Sequence, residues 1–243
     1  MLKSHYNYES LIEKDFWWFK VRRFFFSNEI KKLINKEEKI LDIGSSSGTN
    51  LRMFEEMGYK NYVGVELSRI AISHCKKKGF SKIIYGDACN LPFQPSSKDF
   101  IIASDILEHI DNHELALSEI KRVLKKNSFA IITVPAFNFL WSNHDVSSMH
   151  KRRYTKKILR NLLKSKNLYI EKIFYFNFLL FIPILFARYF FKIFKMNIKN
   201  ENKVNNKFLN KIFELIFKID VLLAEKINPF FGVSIFALVR KIN

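Results

Sequence analysis

From Lys39 to Pro135 the chain alternates short apolar runs with amphipathic stretches, and this alternation constrains its fold more than any other feature. Runs near 39–43, 61–66, 81–85, 98–104 and 128–134 are short, apolar and bounded by turn residues, so they read as strands. Between them, 49–57, 68–78 and 112–126 carry apolar residues at helical spacing. Strands that alternate with helices build a parallel sheet covered on both faces. Gly58 and Gly79 each follow a helical run, where a left-handed residue ends a helix. The fold class expected is α/β, with a doubly wound, mostly parallel sheet.

Residues 1–36 read as a helical cap, with the aromatic cluster Phe16-Trp17-Trp18-Phe19 ahead of Arg22-Arg23 and Phe24-Phe25-Phe26. Beyond Pro135 come an aromatic and polar loop at 137–149, a basic helix at 150–166, an apolar strand at 168–176 and, at the end, an antiparallel last strand at 234–240. A minimal domain of this kind joins the final two strands by a short connection, yet residues 178–230 intervene. The domain expectation is therefore a cap at 1–36, a core at 37–177 and 231–243, and a hydrophobic, basic, helical insertion at 178–230. In its second half Lys207, Lys211, Glu214, Lys218 and Glu225 fall on one helical face. Phe208, Leu209, Ile212, Leu215, Ile216, Ile219 and Leu223 fall on the other. The uncharged run 173–187 contains Asn177 and Pro183 and is shorter than the roughly 20 residues of a spanning helix, so it reads as an interfacial or core segment.

The formal net charge of +18 is uneven: residues 151–243 hold 20 Lys and Arg against 5 Asp and Glu, leaving +3 for the first 150. An AT-rich coding bias, with abundant Lys, Asn, Ile and Phe, accounts for this as well as selection for an anionic partner does. Cys75 and Cys89 lack metal-ligand spacing, so neither a metal nor a disulfide is expected and a reducing compartment fits. The N-terminus has no apolar core or cleavage site of a secretion signal, which predicts a cytoplasmic protein, free or peripheral on the inner membrane face.

In an open parallel sheet, ligands bind beyond the carboxyl ends of the strands near the reversal of strand order. Four such ends carry informative residues. Asp42-Ile43-Gly44-Ser45-Ser46-Ser47-Gly48 allows a tight turn and a close approach to the backbone. Glu66, some twenty positions on and followed by Leu67, is placed to accept both hydroxyls of a ribose. Asp87-Ala88 offers a carboxylate to an exocyclic amine, and Ser104-Asp105 stands at the mouth of the site. A nicotinamide-binding fingerprint requires glycine where Ser46 and Thr49 stand, so it fails twice. An acidic strand end such as Asp42 suits the ammonium of an amino acid better than a pyrophosphate.

An acidic residue followed by alternating glycines resembles the first motif of class I S-adenosylmethionine-dependent methyltransferases, with Ser46 replacing the middle glycine. Asp105-Ile106-Leu107-Glu108-His109, Arg122-Val123-Leu124-Lys125 and Thr133-Val134-Pro135-Ala136 look like later motifs of that superfamily. The resemblance covers about 38–136. It implies a Rossmann-like sheet, S-adenosyl-L-methionine as cofactor, and Asp42, Gly44, Ser46, Gly48, Glu66, Leu67, Asp87, Ala88, Ser104 and Asp105 as its contacts.

Methyl transfer to a hydroxyl needs an aligned acceptor and removal of a proton. His109, His144, Asp145 and His150 are the candidate catalytic residues by position, and Arg152, Arg153 and Tyr154 are candidates for an anionic acceptor. The words around Trp141–Tyr154 and Phe16–Arg23 resemble a subgroup found in bacterial glycan and lipid-linked saccharide clusters. The expected activity is O-methylation of a small-molecule, sugar or lipid-linked saccharide acceptor, with 178–230 resting on an anionic membrane. An RNA or protein methyltransferase and a non-catalytic S-adenosylmethionine-binding protein are the alternatives. Nucleic acid is disfavoured because Ser104-Asp105-Ile106-Leu107 replaces the Pro-Pro-aromatic words of amino-methylating nucleic-acid enzymes. The oligomeric state is not legible.

Overall fold

The structure is a computed structural model that describes residues 3–194 and 206–242. Two helices, α1 (Lys3–Ile12) and α2 (Trp17–Leu33), precede β1 (Ile40–Ile43), α3 (Thr49–Glu56), β2 (Tyr62–Glu66), α4 (Arg69–Lys77), β3 (Ile83–Tyr85), β4 (Lys98–Ser104), α5 (His113–Val123) and β5 (Leu124–Pro135). Then come α6 (Asn143–Ser147), α7 (Lys156–Ser165), β6 (Tyr169–Phe176), α8 (Phe181–Ile193), α9 (Lys207–Ile227) and β7 (Ser234–Arg240).

The seven strands form one sheet in the order β3-β2-β1-β4-β5-β7-β6. The first five pair in parallel, and β7 runs antiparallel between β5 and β6. This is the Rossmann-like sheet expected. All four β1 residues are buried, as a strand covered by helices on both faces requires.

Local chemistry explains where the elements depart from the sequence reading. The helical cap is two helices, with Phe16 extended between them. The helix expected to 126 ends at Val123, because Leu124 turns extended and pairs with Lys98, and Asn127 takes a left-handed φ of +64° that asparagine tolerates. In α9 the buried stripe is Phe217, Asp220, Val221 and Ala224. Phe208, Leu215, Ile219 and Leu223 of the expected apolar face stay exposed. Trp17 and Trp18 of α2 select the packed side by meeting Phe213 and Phe217. Residues 195–205 of the expected insertion lie outside the described residues. No helix among the described residues is long and apolar enough to cross a membrane.

Candidate active site

Strand order reverses between β1 and β4, and a cavity of about 650 Å³ opens at their carboxyl ends. Small-molecule sites span roughly 300–1,000 Å³. Gly44, Ser46, Glu66, Leu67, Asp87, Ala88, Ser104 and Asp105 all line it. The loop after β1 turns through left-handed Gly44 (φ +73°), Ser46 (φ +46°) and Gly48 (φ +97°), so the serine occupies a conformation that glycine favours. The Ser46 backbone N donates to Glu66 Oε2 at 2.9 Å, and the Ser68 N donates to Oε1 at 2.8 Å. These two bonds fix the carboxylate, whose remaining lone pairs can still accept, and burial pushes its pKa up. Asp87 Oδ1 accepts from Cys89 N at 2.8 Å, closing a local turn. Asp105 is left-handed (φ +52°), a backbone strain held by Arg22 Nη1 donating to Oδ2 at 2.7 Å and Thr133 Oγ1 donating to Oδ1 at 3.2 Å.

Two other expected cofactor contacts, Asp42 and Gly48, are not part of the cavity lining, although Asp42 adjoins it through Asn50, which lines it. Asp42 is fully buried; its Oδ1 accepts from Asn50 Nδ2 at 2.8 Å while Oδ2 has no partner. Burial pushes its carboxyl up to about 6, against the opposing pull of the Asn50 hydrogen bond and the Arg22 charge. Gly48 packs inward, where a Cβ would meet Phe80 and Cys75.

Helix α1, the turn that follows it and helix α2 add residues that the motif reading missed. Tyr6, Glu9, Glu13 and Arg22 line the cavity. Glu13 is buried between Ser47 Oγ and Lys78 Nζ, the latter at 2.6 Å, which ties α1 down over the β1 loop. The i, i+3, i+7 spacing of Tyr6, Glu9 and Glu13 was the available signal, since it puts them on one helical face.

Glu108, His109, His144, His150 and Arg153 form another wall of the same cavity. His150 Nδ1 donates to Asp145 Oδ1 at 2.7 Å. Arg153 engages both Asp145 oxygens, Nε to Oδ1 at 2.8 Å and Nη2 to Oδ2 at 2.9 Å, and Ser142 N donates to Oδ2 at 2.8 Å. Burial alone would raise the Asp145 pKa, but the His150 and Arg153 hydrogen bonds overcome it and hold the carboxyl well below the usual range. Asp145 therefore orients His150 and is no proton acceptor, a correction to its expected role. Arg153 is likewise consumed by Asp145 and by the Ala136 carbonyl. Tyr154 is buried with its hydroxyl 2.7 Å from His113 Nδ1, and half-buried Arg152 donates to the Asp111 carbonyl at 3.1 Å, so these residues do not form the anion site expected. Burial, and then the His150 charge, push the His109 pKa down to about 3, leaving a neutral imidazole.

Residues 41–132 match the sequence family described as a methyltransferase domain. By that match this segment is similar to a methyltransferase domain. It is similar to demethylmenaquinone methyltransferase of Staphylococcus epidermidis, 30% identical over 122 residues that make up 45% of this chain and 50% of that protein. It is also similar to the tRNA (carboxymethyluridine(34)-5-O)-methyltransferase of Arabidopsis thaliana, 31% identical over 98 residues, 39% of this chain and 23% of that protein. The chain thus spans half or less of the length of these curated relatives. A chain of the Haloferax volcanii complex between the Trm112 methyltransferase activator and a methyltransferase superposes with a TM-score of 0.65 at 14% identity, covering 99% of this chain and 95% of that one. That likeness carries the fold beyond the matched segment to the flanking helices.

Residues in and beneath the cavity fit S-adenosylmethionine group by group. Asp42 Oδ2 and Arg22 Nε are buried without partners, and suit an ammonium and a carboxylate respectively. Glu66 suits a ribose diol, and Asp87 an exocyclic amine.

Proposed function

We propose that this chain transfers the methyl group of S-adenosylmethionine to a hydroxyl of a small-molecule or lipid-linked saccharide acceptor. Bound at the strand ends, the cofactor supplies an electrophilic methyl on a sulfonium. The chain's own residues then hold the acceptor oxygen in line, exclude water, and take the hydroxyl proton at the imidazole wall. The observation that carries the lipid-linked reading is the placement of α8. Ile184, Ala187, Arg188 and Phe191 line the cavity, whereas Phe186, Tyr189, Phe190 and Ile193 are exposed. One helix thus joins the cavity to an apolar surface on the basic part of the chain, where an anionic bilayer would be attracted.

Calorimetry with S-adenosylmethionine and S-adenosylhomocysteine should give stoichiometric binding that Glu66→Ala removes. Labelled methyl supplied to a lysate should then enter the lipid or saccharide fraction. Label confined to RNA or protein would transfer the proposal to those acceptors, and cofactor binding without any label would leave a binding protein. Flotation with anionic vesicles, and its loss with neutral ones, tests the membrane contact; binding to neither ends it.

A further inference from the structure

Glu108, His109 and His150 share one wall of the cavity, just past the Ser104-Asp105 end of β4. One ligand-capable atom from each lies within 4.8 Å of the others. His150 Nε2 is 4.0 Å from Glu108 Oε1, and the His109 and His150 rings meet edge-on with centroids 4.6 Å apart. Glu108 supplies the independent observation. It is fully buried, and neither of its carboxylate oxygens has a hydrogen-bond partner. Buried carboxylates are ordinarily paired, hydrogen-bonded or bound to a metal. The far nitrogen of His150 is held by Asp145, which Arg153 fixes in turn. Such a carboxylate behind an imidazole is the usual support of a metal-binding histidine.

We propose that Glu108, His109 and His150 bind one divalent transition-metal cation, Zn²⁺ or an ion of similar size, with its open coordination positions facing the cavity. Two imidazoles and one carboxylate are a donor set that such ions accept. Bonds of about 2.0–2.2 Å set ligand atoms roughly 3–3.5 Å apart, so the three side chains draw together on binding. The expectation of no metal rested on cysteine spacing and did not weigh residues as far apart in sequence as His109 and His150. On the methyl-transfer reading above, the cation holds the acceptor oxygen and eases loss of its proton to His144, the remaining imidazole of that wall.

The test uses the full chain, stripped with a chelator that is then removed. Co²⁺ should bind at one equivalent with visible absorption bands and be displaced by Zn²⁺. His109→Ala, His150→Ala and Glu108→Gln should each weaken Zn²⁺ binding by about 100-fold or more, with melting curves showing that each variant is folded. Should Glu108→Gln fail to fold, the two histidine variants decide. No stoichiometric Co²⁺ or Zn²⁺ binding by the parent chain, or unchanged binding in both histidine variants, overturns the proposal. Calorimetry of the same metal-free protein with S-adenosylmethionine is a separate readout: its failure defeats the methyltransferase reading and leaves the cation titration standing.

Discussion

The Trp18 indole stacks on the Phe217 ring with centroids 4.9 Å apart and planes 4° from parallel, joining two helices almost two hundred residues apart in sequence. Phe176 of β6 lies beside both rings, so this stack ties the N-terminal cap and α9 to the sheet as one layer. Phe217→Ala should cost about 3–5 kcal/mol, and Trp18→Ala a similar amount. A double-mutant cycle by urea denaturation should give a coupling of about 0.5–1.5 kcal/mol. Strict additivity would mean that the stack does not bind α2 to α9.

The Asp145–Arg153 pair should behave as a buried ion pair whose halves cannot be removed singly. Side chains of both are almost wholly inaccessible. Arg153→Met strands a carboxylate in the core and should destabilise by about 3–5 kcal/mol, whereas Arg153→Met with Asp145→Leu should recover much of that loss. Thermal melts of the three variants check the order. A double variant no more stable than Arg153→Met would show that the pair's packing, not its charge, carries the stability.

Asp220 imposes a pH signature on folding. Its buried carboxyl accepts from the backbone N–H groups of Asn177 and Leu179, at 2.7 Å each, yet burial pushes its pKa from 3.8 up to about 6. The folded state therefore keeps a proton that the unfolded chain releases, so this group's contribution favours folding below about pH 4 and is lost as pH rises to about 6. Asp220→Asn does not titrate. Its stability relative to the parent should shift in the variant's favour by about 2–3 kcal/mol between pH 4 and pH 7. Urea denaturation at both ends of the range measures this, and an unchanged difference contradicts it.

Residues whose role depends on local pattern were legible before the fold was seen. Gly44, Glu66, Asp87 and Asp105 follow apolar runs short enough to be strands, and a parallel sheet brings such ends together whatever its other details. Arg22 was not legible as a site residue, because its contact with Asp105 spans 83 positions and nothing near either residue announces the other. The same holds for α9. Its amphipathic pattern was visible, but the side that packs is chosen by Trp17 and Trp18, and Trp17 N even donates to Asn210 Oδ1 at 2.9 Å across 193 positions. Asp145 looked like a base because polarity is visible in a sequence and saturation by Arg153, His150 and Ser142 is not.

Asp42 should make methyl-donor binding pH-dependent in the opposite sense to Asp220's effect on folding. Its carboxyl titrates at about 6 in the free protein because burial outweighs the Asn50 hydrogen bond and the Arg22 charge. The donor's ammonium pairs with the ionised form, so affinity should rise as pH increases to about 6 and be flat above it; below it, each unit should cost about tenfold. Glu66, also pushed up by burial, faces the same ligand and adds to the slope. Asp42→Asn keeps the shape of the side chain and a partner for Asn50 but cannot ionise. It should therefore bind S-adenosylmethionine at least about tenfold more weakly at pH 7.5 and show a shallower dependence below pH 6, leaving the Glu66 contribution. Calorimetric titrations of both proteins from pH 5 to 8 measure the two slopes. Equal slopes would remove Asp42 from ammonium recognition and leave it only the positioning of Asn50 beneath the glycine loop.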